Sequence, residues 1–376
     1  MIIGVPKETL PGETRVALIP SLLAGLKRDN HQILIEHNAG AASSHPDEEY
    51  TKAGARIVDT AAVFAEAEIV LKVQPATPKE AGQLREGSTY IGFFAPAATA
   101  SLVDVFVKRR ITSYSMQYIP RISRAQSMDA LSSMATIAGY KAVLLGAVEL
   151  DKIFPLLMTA AGTIPPSTVL ILGAGVAGLQ AIATAKRLGA KVEAFDPRPA
   201  VKEQVKSLGA TFVDMEISEN VETAGGYAKQ QSEEFLRQEQ AAIGARLPKV
   251  DVVVSTAQIF GKKAPILITA AMVKQMRAGS VILDLAAEEG GNCELTQAGK
   301  TVVEHGVKII GAVNLPATVP VHASQMYAKN VLTLLQHLYP KGSPNSDATD
   351  EIIQGSCITR NGEIVHQAIK KLLTGG

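Results

Sequence analysis

Short apolar runs rich in β-branched residues alternate with longer stretches of helical spacing along the whole chain. This alternation is typical of β-α-β units, and near-continuous apolar runs indicate parallel strands that are covered on both faces. We therefore predict an α/β fold of two doubly wound parallel-sheet domains. The predicted strands form two series, at residues 2–5, 32–36, 68–73, 89–93 and 111–114, and then at 168–172, 191–195, 250–255, 280–285 and 307–310.

Two long helical patterns, at residues 129–150 and 322–339, lie where the two strand series meet and are predicted to connect the domains. Further on, Asn361-Gly362 separates two β-prone runs, which is a strong hairpin signal. We predict that this tail returns to the first domain. The first domain then comprises residues 1–137 and 320–376, and the second comprises residues 138–319.

The composition excludes several classes of protein. The chain has 376 residues, and 37 Lys and Arg against 36 Asp and Glu leave a net charge of +1, which gives no electrostatic argument for nucleic acid. Two cysteines cannot form a disulfide framework, which indicates a reduced, cytosolic setting. The best apolar run, at 142–148, is shorter than the ~20 residues of a membrane span. We expect a soluble chain that could still dock on a membrane protein.

The sharpest motif is Gly173-Ala174-Gly175-Val176-Ala177-Gly178, which stands between an apolar strand and a helical pattern. In such a motif Gly173 permits a tight turn, Gly175 lets a pyrophosphate approach the backbone, and Gly178 allows close packing of helix and strand. Phosphates then meet the unpaired N–H groups at the start of the helix. The motif predicts a dinucleotide site in the second domain.

Asp196 ends the next predicted strand, 23 residues after Gly173. Its carboxylate is placed to accept hydrogen bonds from the adenosine ribose and to repel a 2′-phosphate, which favours NAD over NADP. Arg198 weakens this preference, because a guanidinium pairs with a 2′-phosphate. The alternative is a glycine-rich turn that binds no nucleotide.

A second candidate is the polar loop at residues 121–129, between an apolar strand and the first long helix. It brings Arg121, Arg124, Gln126 and Asp129 to the domain junction, and Gln126 offers both the donor and the acceptor that a nicotinamide carboxamide needs. The residues leave an alternative open, in which Asp129 caps the helix and the two arginines form a solvated face. Weaker still is the segment at 222–228, where glycines flank Tyr227 as in a mobile lid. The histidine and cysteine spacings predict no metal site.

Several segments resemble a known family. The stretches 4–8 and 12–18 resemble the start shared by alanine dehydrogenases and proton-translocating nicotinamide nucleotide transhydrogenases, and 120–129, 222–228 and 325–330 resemble the transhydrogenases in particular. Arg15 and Lys72 match the substrate-binding pair of alanine dehydrogenases. The catalytic histidine of those enzymes is replaced, with Phe94 at its counterpart, and their catalytic aspartate appears as Glu288. Without the imidazole the general acid/base of imine chemistry is missing, so amino-acid oxidation is not expected.

The transhydrogenase resemblance implies two Rossmann-like domains joined by long helices, with a cleft between them. It implies a soluble NAD(H)-binding alpha subunit of a split, Re/Si-specific enzyme that works only with its partner subunits. The implied partners are a second copy of the chain, the NADP(H)-binding domain of a beta subunit, and membrane-embedded alpha-2 and beta components. The implied location is cytoplasmic, on the inner face of a bacterial inner membrane. The implied reaction is direct hydride transfer between NADH on this chain and NADP⁺ on the partner, coupled to proton translocation.

The same resemblance assigns candidate site residues. Gln126, Arg121 and Asp129 are expected to position the nicotinamide without acting as acid or base. The expected cofactor-binding residues are Gly173, Gly175, Val176, Gly178, Asp196, Pro197, Arg198, Ser127, Met128, Ser132, Gly226, Tyr227 and Gln258. Two other functions stay open at this point: an alanine-like amino-acid dehydrogenase, and a non-catalytic subunit that senses NAD(H).

Overall fold

The structure is a computed structural model that describes residues 1–215, 232–259, 261–345, 347 and 349–374. The chain divides into two compact units, unit 1 with residues Met1–Met134 and Pro316–Gly376, and unit 2 with residues Ala135–Leu315. The strands of the described residues are β1 (Ile2–Val5), β2 (Gln32–Glu36), β3 (Arg56–Val58), β4 (Ile69–Leu71), β5 (Thr89–Gly92), β6 (Thr112–Ser115), β7 (Leu157–Thr159), β8 (Gly162–Ile164), β9 (Thr168–Leu172), β10 (Lys191–Phe195), β11 (Thr211–Phe212), β12 (Val252–Ser255), β13 (Val281–Asp284), β14 (Thr301–Glu304), β15 (Val307–Gly311), β16 (Cys357–Arg360) and β17 (Glu363–Ile364).

Local sequence signals set several helix ends. Thr77 and Glu80 form a capping box around Pro78 at the start of α4, and Pro320 opens α11. Gly189, at φ +85°, follows the last turn of α7 in the left-handed conformation that glycine adopts most easily. The α-helices are α1 (Leu23–Arg28), α2 (Asp47–Lys52), α3 (Thr60–Glu66), α4 (Pro78–Gln83), α5 (Ala100–Lys108), α6 (Ala130–Glu149), α7 (Val176–Arg187), α8 (Lys202–Ser207), α9 (Glu233–Gly244), α10 (Ala270–Val273), α11 (Pro320–Leu338), α12 (Glu351–Ser356) and α13 (Gln367–Thr374).

Unit 1 contains a sheet in the order β17-β16-β6-β5-β4-β1-β2-β3. Strands β1 to β6 are parallel, while β16 and β17 add antiparallel strands at one edge. The chain order reverses between β1 and β4, which makes the carboxyl ends of these two strands the topological switch point of the unit.

Unit 2 contains a sheet in the order β11-β10-β9-β12-β13-β15-β14, parallel except for the edge strand β14. Its switch point lies between β9 and β12. Successive strand residues serve two cores, since Ile171 belongs to one apolar cluster and Leu170 and Leu172 belong to the other. This sheet is covered on both faces, which is why its strands read as continuous apolar runs.

Helix α6 carries the boundary between the two units. It is long and apolar enough to cross a membrane by length and composition alone, a test that the core helix of a soluble protein also passes. A Cβ on Gly139 would lie 2.0 Å from the carbonyl oxygen of Ala177, and one on Gly146 would lie 3.0 Å from Val252 Cγ1. These close approaches, all within unit 2, show that α6 packs against the start of α7 and against β12.

The predicted α/β fold with doubly wound parallel sheets is confirmed, and the Asn361-Gly362 hairpin forms between β16 and β17. The sequence did not predict the short antiparallel hairpin of β7 and β8, whose six strand residues are all exposed. The domain boundaries at 137/138 and 319/320 stay a prediction.

Candidate functional site

The switch point of unit 2 is formed by the loops that follow β9 and β12. Strand β9 leads into Gly173, which adopts φ +93° and accepts a hydrogen bond from Thr256 Oγ1 (3.0 Å), just after β12. A Cβ on Gly173 would lie 2.7 Å from that same hydroxyl. The turn at Gly173 therefore has no room for a side chain, and its backbone conformation favours glycine.

The other two glycines of the motif differ in what limits them. A Cβ on Gly178 would lie 1.8 Å from the carbonyl oxygen of Gly173, so packing within unit 2 requires glycine there. Gly175 has an extended backbone (φ −75°, ψ −164°), and among the described residues a Cβ on it would approach only Arg198 Nη2, at 3.9 Å. Packing among the described residues therefore does not require glycine at position 175. The missing side chain leaves open space beside the backbone.

Helix α7 begins at Val176, which is 40% exposed, directly after this open space. Its first N–H groups have no side-chain cap, as Gly175 offers none. Among the described residues no side chain caps these N–H groups, and their place beside a glycine with room for an anion fits the pyrophosphate of a dinucleotide.

Asp196 directly follows β10 and is 3% exposed. Its Oδ2 accepts the N–H of Ala174 (2.7 Å), which ties the strand end to the glycine loop. Both of its oxygens also contact the guanidinium of Arg198, at 2.9 Å from Nε and 2.8 Å from Nη2. Pro197 lies half-buried between them. The candidate ribose-binding carboxylate is therefore already engaged by this chain.

A buried network orders the far side of this switch point. Asp284, at the end of β13, is fully buried and accepts the N–H groups of Asn292 (2.7 Å) and Cys293 (3.0 Å) and the hydroxyl of Thr296 (2.6 Å). Asn292 then exchanges two hydrogen bonds with the backbone of Ala257 (3.0 and 2.8 Å). Sequence reasoning missed Asp284 and Asn292 as organisers of the site. The available signal was a polar residue ending an apolar strand, followed by Gly-Gly-Asn.

Gln258 lies on the loop that this network fixes. Its Nε2 donates to the carbonyl of Leu285 (3.0 Å) and to Glu289 Oε2 (3.1 Å). Burial, and then the charge of Glu288, raise the pKa of the Glu289 carboxyl above its ordinary value. The structure thus places Gln258 and Glu288 on adjacent loops of one sheet edge.

In unit 1, the loop ahead of α6 forms a 3₁₀ turn at Ser123–Met128. Gln126 and Ser127 are exposed on it, while Met128 is 4% exposed and packs inward. Asn330 Nδ2, from α11, donates to the carbonyl of Ser127 (2.8 Å) and holds the turn. An open groove of about 480 Å³ beside it is lined in part by Gln126.

Asp129 acts as the cap of α6. Its Oδ1 accepts the N–H of Ser132 (2.9 Å) and its Oδ2 accepts the Ser132 hydroxyl (2.6 Å). The capping alternative for Asp129 is therefore realised, and the roles of Asp129 and Ser132 at the nucleotide stay a prediction. Arg121 is exposed at the start of the loop, and Arg124 is paired with Asp350 and Glu351.

The switch point of unit 1 is filled by buried ion pairs. Lys72, after β4, is 1% exposed and lies 3.3 Å from Glu8 Oε2 and 3.5 Å from Glu80 Oε1. Arg15 is 4% exposed and binds Glu13 through Nε (2.8 Å) and Nη2 (2.6 Å). The two cations that resemble an amino-acid site are thus neutralised by carboxylates of the chain itself.

Phe94 is the predicted counterpart of the alanine dehydrogenase histidine. It is 1% exposed and packs edge-on against Phe106 (5.8 Å between ring centroids) and Tyr90 (5.9 Å). It belongs to the apolar core of unit 1 and offers no proton donor or acceptor. The predicted lid residues Gly226 and Tyr227 lie outside the described residues.

The chain matches a known protein family over most of its length. Residues 4–138 match the N-terminal domain and residues 142–367 the C-terminal domain of the alanine dehydrogenase/PNT family. The chain is 48% identical to the first part of NAD(P) transhydrogenase subunit alpha from Rhodospirillum rubrum, over 98% of this chain and 99% of that one. It is similar to the solved transhydrogenase from Sinorhizobium meliloti, with a TM-score of 0.86 and 39% identity over 98% of this chain and 100% of that one.

Alanine dehydrogenase of Bacillus subtilis is also similar, with 29% identity over 99% of this chain and 94% of that one. The transhydrogenase relative and the alanine dehydrogenase relative differ clearly in their sequence identity to this chain. The chain belongs to the alanine dehydrogenase/PNT family, and within it the higher identity lies with the transhydrogenase alpha subunits.

Proposed function

We propose that this chain is the NAD(H)-binding alpha subunit of a proton-translocating, Re/Si-specific NAD(P) transhydrogenase, active only with its partner subunits. The observation that carries the proposal is the pairing of two features. An open, glycine-lined helix start stands at the switch point of unit 2, and Phe94, the predicted counterpart of the amino-acid dehydrogenase histidine, is buried in the core of unit 1. The first feature suits a dinucleotide, and the second removes the acid/base chemistry.

Bound NADH supplies a hydride at its nicotinamide C4, and hydride transfer between two nicotinamides needs no protein acid or base. The work of the protein is to hold the reacting carbons at a near-attack distance of roughly 3–3.5 Å and to exclude water. In our proposal, the N–H groups at the start of α7 hold the pyrophosphate and Asp196 holds the adenosine ribose. Gln126 and Arg121 orient the nicotinamide end, while Asp129 and Ser132 fix the helix start beside Gln126.

We propose that six further residues complete the nucleotide contacts: Val176, Pro197, Arg198, Ser127, Met128 and Gln258. Gly226 and Tyr227 are proposed to close over the nucleotide. Support comes from the exposure of Gln126 on a turn that Asn330 and Arg124 hold in place. A positioning group must be accessible to its ligand and rigid at its base, and Gln126 meets both conditions.

We further propose that two copies of this chain associate through the hairpin of β7 and β8. A two-stranded hairpin alone is marginally stable in water, and large apolar side chains rarely cluster on a free surface. Leu157, Met158 and Ile164 on the hairpin are 42%, 74% and 49% exposed. A second copy covering this surface would bury them.

The remaining partners follow from the proposed reaction. The hydride acceptor, NADP⁺, would sit on the NADP(H)-binding domain of a beta subunit, and membrane-embedded alpha-2 and beta components would carry the protons. The chain would then work on the cytoplasmic face of a bacterial inner membrane. Coupling would reach this chain through its interface with those partners.

An amino-acid dehydrogenase is the second candidate, favoured by the retained Arg15 and Lys72. Both cations are engaged by Glu13, Glu8 and Glu80, so a substrate carboxylate would have to displace a carboxylate of the chain. A non-catalytic NAD(H) sensor would share the nucleotide site and differ only in lacking hydride transfer.

The test is reconstitution with a purified NADP(H)-binding domain from a transhydrogenase beta subunit. NADPH-dependent reduction of a spectrally distinct NAD analogue is followed with both proteins and with each alone. We expect turnover only with both. Tight NADH binding without turnover would favour the sensor, and NADH oxidation with pyruvate and ammonia would favour the amino-acid dehydrogenase.

A further inference from the structure

Three consecutive residues after β12 are each bonded to a different part of the unit 2 switch point. Thr256 Oγ1 donates to the glycine loop after β9 (3.0 Å), and Ala257 exchanges two hydrogen bonds with the side chain of Asn292, which is fully buried. Gln258 Nε2 donates to the carbonyl of Leu285 (3.0 Å), just after β13. The loop is therefore fixed to the ends of both strands that neighbour β12.

The two bonds of the Gln258 amide decide which of its polar atoms is left for a ligand. Both N–H donors of Nε2 are used, one by the Leu285 carbonyl (3.0 Å) and one by Glu289 Oε2 (3.1 Å). A flipped amide would place its oxygen against two acceptors, which repel it. Among the described residues no group donates to Gln258 Oε1, and the side chain is exposed. Gln258 therefore offers a ligand an acceptor and no donor.

Glu289 is held in place through its own backbone. Its N–H donates to the carbonyl of Ala286 (3.0 Å), and its carbonyl accepts the N–H of Ala264 (2.9 Å). Its carboxylate bonds Gln258 across the carboxyl ends of two adjacent parallel strands, β12 and β13. An acceptor with a fixed base selects one orientation of the amide that donates to it, so Glu289 orients Gln258.

The place of Gln258 in the sheet indicates which part of a dinucleotide it meets. In a doubly wound sheet the two mononucleotide halves lie on either side of the switch point, where the pyrophosphate binds. Asp196 follows β10, on the β9 side, so β12 and β13 serve the nicotinamide mononucleotide half. Gln258 is three residues beyond Ser255, the last residue of β12. The first donor groups beyond the pyrophosphate on this half are the hydroxyls of the nicotinamide ribose.

We infer that Gln258 accepts a hydrogen bond from a hydroxyl of the nicotinamide ribose, and that Glu289 is the positioning residue that turns the amide oxygen toward it. This inference rests on the proposed function and deepens it, since it assigns one atom of the chain to one group of the nucleotide. A hydroxyl can donate to an oxygen that has only lone pairs to offer. The carboxamide N–H of the nicotinamide can also donate, so the test has to distinguish the two donors.

The test compares fragments of the nucleotide, so it needs neither a partner subunit nor hydride transfer. ADP-ribose carries a second ribose that ADP lacks, and displacement of NADH, followed by its fluorescence, measures the affinity for each. Gln258→Leu should weaken ADP-ribose binding about three- to tenfold and change ADP binding by less than about twofold. Glu289→Met should show a loss of the same kind, whereas Glu289→Gln, which keeps an acceptor for the amide, should bind ADP-ribose as the wild type does. Gln204→Leu, at an exposed glutamine on α8, is the control and should change neither affinity.

An analogue of NADH identifies the donor. Reduced 3-acetylpyridine adenine dinucleotide keeps the ribose and lacks the carboxamide N–H, so Gln258→Leu should weaken its binding by the same factor as that of NADH. Gln258 and Glu289 are both exposed, so the variants should keep the stability of the wild type, which thermal unfolding checks.

Three results would overturn the inference. Gln258→Leu could bind ADP-ribose as tightly as the wild type does, or it could lose affinity for ADP and ADP-ribose equally, which would make its role structural. It could also weaken NADH alone, which would assign the carboxamide as the donor. A wild type that binds neither NADH nor ADP-ribose would instead contradict the proposed function.

Discussion

Arg124 and Asp350 join the turn that carries Gln126 to the C-terminal segment of unit 1. Arg124 Nη1 lies 2.9 Å from Asp350 Oδ2, although the residues are 226 positions apart in sequence. Asp350 also caps α12 by accepting the N–H groups of Ile352 (2.8 Å) and Ile353 (3.0 Å), and His337 Nε2 lies 3.1 Å from it. One buried carboxylate thus anchors a turn, a helix start and α11.

Asp350→Ala should destabilise the chain more than Arg124→Gln does. The alanine variant loses a helix cap and leaves two N–H groups unpaired, which costs about 1–2 kcal/mol. Arg124 is half exposed, so the loss of its charge should cost less. Urea unfolding followed by circular dichroism gives both values. Equal losses would show that the ion pair, and not the cap, anchors the segment.

The same carboxylate predicts a pH dependence. Burial would raise the pKa of Asp350, but hydrogen bonds from Ile353, His337 and Arg124 outweigh burial and lower it to about 2. A carboxyl whose folded pKa is lowered stabilises the protein fully above its unfolded pKa, and this contribution is lost as the pH falls through 2. The stability difference between wild type and Asp350→Ala should therefore shrink as the pH falls below about 4. A difference that stays unchanged down to about pH 3 would contradict this assignment.

The sequence predicted the fold better than it predicted side-chain pairing. The apolar runs located β9, β10, β12 and β13, because strands buried on both faces leave an unmistakable pattern. The hairpin of β7 and β8 was missed, since its three-residue strands are exposed and carry no alternation. Arg124 and Asp350 could not be paired from the sequence, because the antiparallel return of β16 determines where the tail lies.

Gly175→Ala and Gly178→Ala form a matched pair of substitutions. A Cβ at Gly178 would collide with the Gly173 carbonyl at 1.8 Å, which should destabilise unit 2 by about 1–3 kcal/mol or more. A Cβ at Gly175 meets nothing closer than 3.9 Å among the described residues, so the fold should keep its stability. Its NADH affinity should nonetheless fall at least about tenfold, because the methyl group occupies the space proposed for the pyrophosphate. Thermal unfolding and NADH titration measure the two effects, and unchanged NADH affinity in Gly175→Ala would remove the glycine loop from the site.

Gln126→Asn should separate positioning from binding. The shorter side chain still offers a carboxamide but withdraws it by about 1.5 Å, one C–C bond, and a misplacement of this size slows a transfer step by up to about a hundredfold. We expect the single-turnover hydride transfer rate to fall at least about tenfold, with the NADH dissociation constant within about twofold. Gln32→Asn is the control, since Gln32 lies at the amino end of β2, at the opposite edge of the sheet from the ligand-binding ends. Unchanged transfer in Gln126→Asn would exclude Gln126 from the proposed role.

In the candidate site too, the sequence predicted where residues lie along the fold but not which side chains contact each other. Strand and spacing located Gly173 and Asp196, because the loop after the first strand and the end of the second have fixed roles in this architecture. The closed contact of Asp196 with Arg198 depends on loop torsions around Pro197, which a spacing does not specify. Asp129 illustrates the limit, since the sequence allows a carboxylate at a helix start either a capping or a binding role, and the structure shows the cap.

Met158→Asp should convert a dimer into a monomer. Met158 is 74% exposed on the hairpin, and a buried carboxylate in a dimer interface would have no partner there. Light scattering after size-exclusion chromatography measures the mass at several concentrations. Val303→Asp is the control, because Val303 is 61% exposed on the edge strand β14 of the same unit. Dissociation by both substitutions, or by neither, would contradict an interface at the hairpin.

Arg15 is expected to stabilise unit 1 and to leave nucleotide binding unchanged. Its guanidinium binds Glu13 in bidentate fashion in a site where both side chains are nearly fully buried, so Arg15→Met removes the cation that balances a buried carboxylate and should cost about 3–5 kcal/mol. Burial would raise the pKa of Glu13, but Arg15 and Gln74 lower it to about 2, so the penalty should be full at pH 7 and smaller below pH 4, where the Glu13 carboxyl of the variant can protonate. Arg56→Gln breaks an exposed ion pair with Glu66 and should cost less than about 1 kcal/mol. Urea unfolding at pH 7 and pH 4, together with NADH titration, distinguishes the alternatives. A stable Arg15→Met variant that has lost an amino-acid-dependent NADH oxidation present in the wild type would make Arg15 a substrate ligand and revive the dehydrogenase function.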